Sequence, residues 1–210
     1  EKIDELLLGC DSRHIVDRAL PFMDDALAAG RPFFATIWFH APHAPVEAGP
    51  DYLAMYDRCE TDEAHYFGVV TAMDEQVGRL NAHIKALGIE NDTIIWFCSD
   101  NGPEGSENLA KNRRYRGSTG GLRGRKRSLF NGGVGVPALL KHPGLVAPGS
   151  TYTQPCSTLD YLPTVLDLLG LDMPDERPLD GISLLPMLRR EAQERGAAIP
   201  YRFLERKEAM

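Results

Sequence analysis

The 210-residue chain is 43% apolar and 25% charged, enough for a core, and this excludes collagen-like, disordered and disulfide-framework classes. Its net charge of −7, from 23 Lys+Arg against 30 Asp+Glu, argues globally against a nucleic-acid partner. No apolar run reaches the length of roughly eighteen residues that a membrane span needs.

Ile15, Ala19, Phe22, Met23 and Leu27 fall on one face of a helix that should end near Gly30. Residues 32–39, Pro-Phe-Phe-Ala-Thr-Ile-Trp-Phe, form an apolar run of strand length without alternation, the pattern of a strand buried on both faces. A loop with His40, Pro42, His43 and Pro45 follows. Phe67, Val70, Met73, Val77, Leu80, Ile84 and Leu87 repeat at three- and four-residue steps, predicting a helix over about 63–87 that Gly88 stops. Asn91 and Asp92 turn the chain into a second buried strand, Thr93 to Cys98, which ends in Ser99-Asp100-Asn101-Gly102. A third strand is expected from Val134 to Leu140, at an edge or bulge because of Pro137. A helix from near Asp160 to Gly170, with Pro163 in its first turn, and a short one around Ser183 to Arg190 complete the set. Such alternation implies an α/β layered domain, whose ligands gather at the carboxyl ends of strands.

The charge is unevenly distributed. Between Glu107 and Asp160 there is no acidic residue, while Lys111, Arg113, Arg114, Arg116, Arg123, Arg125, Lys126, Arg127 and Lys141 lie there, leaving 14 positive charges against 30 negative elsewhere. One basic segment in an acidic chain points to an anionic ligand. Its glycines would let backbone approach that ligand and its Arg and Lys would bind an oxyanion; a solvated face and an RNA-binding surface are the other two readings. Asp100 and Asn101 offer adjacent hard oxygens for Ca²⁺ or Mg²⁺, or simply make a turn. His40 and His43 could bind metal, move protons or meet an oxyanion. Cys10, Cys59, Cys98 and Cys156 contain no CxxC pair, which excludes a local zinc knuckle.

Four blocks, taken together in order, carry a family resemblance. They are Ala41-Pro42-His43-Ala44-Pro45, Ile94 through Gly102, Gly124-Arg125-Lys126-Arg127-Ser128-Leu129-Phe130-Asn131-Gly132-Gly133 with Val134 to Pro137, and Asp160-Tyr161-Leu162-Pro163-Thr164-Val165-Leu166. From about residue 10 to 188 the chain resembles the sulfatase family of the alkaline-phosphatase-like superfamily. The resemblance implies an α/β fold, an alkaline-phosphatase-like layered sheet with helices on both faces, here incomplete. It implies a sulfuric ester hydrolase with Asp100 and Asn101 on the divalent cation, Ca²⁺ with Mg²⁺ as the alternative. His43 and Lys126 would contact the sulfate as catalytic residues, with Arg123 and Arg125 as substrate-binding supports.

Two positions depart from the family's pattern: Asn131 stands where Glu is usual, and Gly135 where a basic residue is common. The formylglycine nucleophile arises from Cys or Ser in a Cys/Ser-x-Pro-x-Arg motif, which this chain does not contain. Residues 1–190 are therefore expected to be the C-terminal portion of a sulfatase catalytic domain and 191–210 a charged tail, with the formylglycine in a preceding part. The expected partner is a sulfated small molecule or glycan, with no nucleic acid and no membrane span. An exposed sheet edge makes a homo-oligomer an expectation. A periplasmic or secreted location suits a full-length member, while the chain itself leaves location unknown. Phosphodiester or phosphonate monoester hydrolysis, and a non-catalytic anion- or RNA-binding module, are the alternatives.

Overall fold

The structure, a computed structural model, describes residues 10–105 and 114–201. The chain forms two compact units, Glu1–Glu90 with Cys98–Pro137, and Asn91–Phe97 with Ala138–Met210.

The first unit is built on two helices. Helix α1 (Ser12–Ala28) buries Ser12, Val16, Met23 and Ala26, and the chain leaves it through Gly30 at φ +62°, a conformation that costs glycine little. After the short α2 (Pro50–Ala54), helix α3 (Thr61–Ala86) carries Asp62 and Glu63 in its first turn and His83 and Lys85 in its last, matching the helix dipole. The predicted span of α3 is right to within two residues, but its buried face is not the predicted one. Ala64, Gly68, Ala72 and Gln76, spaced four apart, lie buried with His65, Val69 and Ile84, whereas Phe67, Val70, Met73, Val77 and Leu80 are half-buried. Small side chains let neighbouring backbone come close: a β-carbon on Gly68 would stand 2.6 Å from that of Ala48. Helices α1 and α3 are also joined by Arg79 Nη2 to Asp17 at 2.7 Å and His83 Nε2 to Asp24 at 2.8 Å. Val46, Ala48, Val69 and Tyr115 form a core cluster, with Ala41, Ala44, Tyr52 and Tyr66 packed against it.

Residues 32–39 depart from expectation. They form no strand, and Phe34 and Trp38 are 80% and 83% exposed. An apolar run becomes a doubly buried strand only when strands flank it and layers cover it, and among the described residues no strand pairs with it.

In the second unit, strand β1 (Ile95–Cys98, its last residue counted with the first unit) pairs with β2 (Ala138–Lys141) in the two-stranded sheet found among the described residues. β1 is half-buried along its length rather than fully buried. The expected strand from Val134 to Leu140 begins later. The Phe130 carbonyl accepts the amides of Gly133 (2.7 Å) and Val134 (3.2 Å), which winds residues Asn131–Val134 into a helical turn, α4, before Pro137 releases the chain into β2. A capping box on Ser157 and Asp160 opens the 3-10 turn Thr158–Asp160, which leads into helix α5 (Tyr161–Leu169), and the helix ends at Gly170, φ +63°, as predicted. The last helix, α6, spans Leu185–Leu188. Asp160, fully buried, accepts the amides of Ser157 (2.7 Å) and Ile182 (2.9 Å) and pairs with Arg195 at 2.6 and 2.9 Å.

Candidate functional site

Every residue singled out from the sequence as a site residue lies in the first unit. The strand-end loop Ser99-Asp100-Asn101-Gly102 is shaped by two local bonds. Ser99 Oγ donates to the Asn101 carbonyl at 2.9 Å, and Asn101 Nδ2 donates to the Gly102 carbonyl at 2.9 Å. The second bond commits the amide nitrogen and leaves Oδ1 free to act as an acceptor. Beside it, the Asp100 carboxylate is exposed. The chain thus presents two adjacent hard oxygens, a donor set that suits a hard divalent cation such as Ca²⁺ or Mg²⁺ but is too small to complete its shell. No group of three or more His, Cys, Asp and Glu able to hold a metal occurs among the described residues.

This loop is fastened directly to the loop that carries Lys126. The Gly102 amide donates to the Gly133 carbonyl at 2.8 Å, the Lys126 amide to the Pro103 carbonyl at 3.1 Å, and the Gly132 amide to the Arg123 carbonyl at 2.7 Å. Gly102 and Gly132 are both buried, and a β-carbon on Gly102 would collide with the Gly132 carbonyl, one on Gly132 with the Gly124 carbonyl. Gly132 belongs to the basic segment whose glycines are expected to let backbone approach a ligand, and Gly102 to the strand-end turn. The structure uses both for contact between backbones, and this holds the Asp100–Asn101 loop against the Lys126 loop in one rim of chain.

The basic segment is largely spent on internal contacts. Arg116 Nη2 meets Asp62 at 2.7 Å and Arg114 Nε approaches it at 3.5 Å. Arg125 Nη2 donates to the carbonyls of Gly117 (2.6 Å) and Glu104 (3.2 Å), so this guanidinium braces backbone and does not stand open as a substrate-binding group. Arg123 is exposed and lies 3.8 Å over the Phe130 ring. Arg127 is ion-paired to Glu104. Among the described residues no side-chain hydrogen bond or ion pair holds the Lys126 ammonium. Lys111 and Arg113 lie outside the described residues.

Glu104 was not singled out from the sequence. Hydrogen bonding from Arg127 holds its carboxyl below the usual range against the effect of burial, with help from the Gly105 amide and the charges of Arg127 and Lys126. The available signal was its place as one of the last carboxylates before the basic run.

His43 is exposed and stacks on His40, ring centroids 5.3 Å apart. Its Nδ1 lies 2.9 Å from the Ala44 carbonyl. A carbonyl can only accept, so Nδ1 carries the proton and Nε2 is the atom left to meet a ligand. Ala41 and Ala44 tie this loop to the cluster containing Val46 and Tyr115, and Arg114 Nη1 donates to the Val46 carbonyl at 3.1 Å. His43 is therefore linked to the Lys126 loop through Tyr115 and Gly117.

A family model described as Sulfatase matches residues 2–171. The chain belongs to the sulfatase family. Mus musculus steryl-sulfatase is 34% identical over 182 residues, covering 87% of this chain and 28% of that protein. The crystal structure of Ps i-CgsB is 30% identical with a TM-score of 0.76, covering 85% of this chain and 38% of the other. Phosphonate monoester hydrolase from Silicibacter pomeroyi is 25% identical with a TM-score of 0.66, covering 87% and 42%. The fold of this sulfatase-family chain is accordingly the alkaline-phosphatase-like one, and the chain spans well under half the length of these relatives.

Proposed function

We propose that the protein carrying this chain hydrolyses a sulfate monoester of a sulfated small molecule or glycan, with the cation site and the sulfate-contacting cation drawn from the rim described above. The observation that carries the reading is the fastening of the Asp100–Asn101 loop to the Lys126 loop, with Lys126 the basic side chain in residues 114–127 that no partner among the described residues claims. Asp100 and Asn101 Oδ1 would hold a divalent cation, Ca²⁺ in the first instance. When bound, such an ion supplies charge neutralisation at nonbridging sulfate oxygens. Lys126 and the Nε2 edge of His43 stabilise the charge that develops on the bridging oxygen as the S–O bond breaks. Arg123, exposed on its phenyl platform, serves the substrate side, while Arg125 holds the loop from behind. The nucleophile is a formylglycine supplied outside these 210 residues, since no Cys/Ser-x-Pro-x-Arg is present in them.

Likeness to a phosphonate monoester hydrolase favours one competing reading, attack on a phosphorus ester at the same rim. Steady-state turnover of p-nitrophenyl sulfate, bis-p-nitrophenyl phosphate and phenylphosphonate esters by the full-length protein separates the two. Sulfate ester preference, lost about 100-fold or more in Lys126→Ala and His43→Ala and abolished by chelator with recovery on Ca²⁺, is the expected result. Preference for the phosphorus esters, or wild-type rates in Lys126→Ala, overturns the proposal.

A further inference from the structure

Arg127 has no part in the reading above. It follows Lys126 directly, and its φ of +71° is left-handed, a region disfavoured for a residue with a β-carbon. Its guanidinium donates to the Glu104 carboxylate. That carboxylate is 12% exposed while the Arg127 side chain is 61% exposed, so the acid is the buried member of the pair. The Gly105 amide adds a bond to Glu104 Oε1 at 3.1 Å, Arg125 Nη2 reaches the Glu104 carbonyl, and the Lys126 amide holds Pro103. Pro103 and Glu104 are thus clasped by three consecutive residues of the 125–127 turn. The Lys126 charge also acts on the Glu104 carboxylate. Lys126 and Arg127 are adjacent in the chain, and of the two it is Arg127 that pairs with this largely enclosed carboxylate.

We propose that Arg127 is a positioning residue that occupies the Glu104 carboxylate and thereby keeps the neighbouring Lys126 ammonium free to meet an oxyanion. This rests on the reading of Lys126 as the sulfate-contacting cation. A planar guanidinium with several donors is the better partner for a fixed carboxylate, and a lysine on its flexible stem the better mobile point charge. With Arg127 gone, a largely enclosed carboxylate needs another counterion, and Lys126 is the adjacent one. Removing both Glu104 and Arg127 leaves Lys126 with no competitor. A purely structural ion pair predicts the reverse, since a double variant would then be no better than its parents.

The test compares Arg127→Gly, which tolerates the positive φ, Arg127→Lys, Arg127→Gln, Glu104→Gln/Arg127→Gly and Lys126→Ala in the full-length protein with p-nitrophenyl sulfate. Arg127→Gly and Arg127→Gln should lose roughly 100-fold in kcat/KM, near the Lys126→Ala level. Arg127→Lys and the double variant should each recover about tenfold or more of that loss. Independently of turnover, calorimetry with inorganic sulfate should show binding weakened in Arg127→Gly and Arg127→Gln relative to the wild type, and restored in the double variant. Unchanged sulfate binding in Arg127→Gly, or a double variant worse than Arg127→Gly, overturns the proposal. Loss in Lys126→Ala with none in Arg127→Gly refutes only the role of Arg127, whereas wild-type turnover in Lys126→Ala removes the underlying reading of Lys126.

Discussion

His65, on the buried face of α3, accepts the Ala48 amide on Nδ1 at 3.1 Å. A ring nitrogen that accepts a hydrogen bond carries no proton, so the native ring is neutral. Burial, then the nearby Arg114 charge, holds its pKa below the ordinary 6.5, against the opposing pull of Glu47 and Asp62. As pH falls through about 6.5 the unfolded chain takes up a proton that the folded one refuses, and stability drops until the lower native pKa is reached. Thermal melts between about pH 7.5 and 5 should show this decline, and His65→Gln should flatten it. An unchanged slope in the variant removes His65 as its source. Gly102 belongs to the same scale. Gly102→Ala places a methyl group on the Gly132 carbonyl and should cost about 2 kcal/mol in chemical denaturation. It should also impair the cation binding proposed for Asp100 and Asn101, because the same loop moves.

Among elements, the second unit is organised around one ion pair. Burial pushes the Asp160 carboxyl upward, but Arg195 together with the Ile182 and Ser157 amides outweighs it and leaves the pKa lowered. Side-chain exposure of 0% for Asp160 and 4% for Arg195 makes the pair fully internal. Removing one partner strands a buried charge, so Arg195→Ala should destabilise the unit by about 3 kcal/mol or more in denaturant melts. A depressed carboxylate contributes stability above its unfolded pKa of about 3.8 and loses it as pH falls through the native value, so the Arg195→Ala deficit should shrink under strong acid. An equal deficit at low pH would show that Arg195 acts through packing alone.

This pair, whose members stand 35 positions apart, left no local trace in the sequence. Helix α5 was legible because Pro163 and Gly170 mark its ends with fixed backbone chemistry, and β1 because a short apolar run stopped at a turn. Helix α3 was legible in period but not in phase, since Ala64, Gly68 and Ala72 bury closely through their small size rather than their hydrophobicity. Residues 32–39 misled for a different reason: apolarity says that a run gains from being covered, not that a pairing strand stands beside it. At the candidate site, Asp100, Asn101 and Lys126 were singled out by type and order. The bond that joins their loops is carried by backbone, to which side-chain patterns are blind.

For the whole molecule, the net charge of −7 understates how little of the basic segment is available. Arg114, Arg116 and Arg127 are held by carboxylates, Arg125 by carbonyls and Arg123 by Phe130. Such a surface favours a single sulfate group over a long polyanion, and binding to RNA should be weak and lost at about 0.15 M salt. A steep salt slope with high affinity would restore the RNA-binding alternative. Purified as these 210 residues alone, the chain should bind the cation weakly and give no turnover of p-nitrophenyl sulfate. Measurable hydrolysis abolished by Lys126→Ala would contradict this. Exposed Phe34 and Trp38 should also drive self-association, visible as a concentration-dependent sedimentation coefficient that falls in Phe34→Ser/Trp38→Ser.

The chain holds two tryptophans, one in each unit. Trp38 stands in solvent, whereas Trp96 lies against Tyr161 with ring centroids 4.5 Å apart and planes within 7° of parallel. Fluorescence can therefore follow the units separately without an attached label. Trp38→Phe leaves an emission that reports only the β1–α5 contact, while Trp96→Phe leaves a red-shifted signal that moves when the 32–39 face is covered.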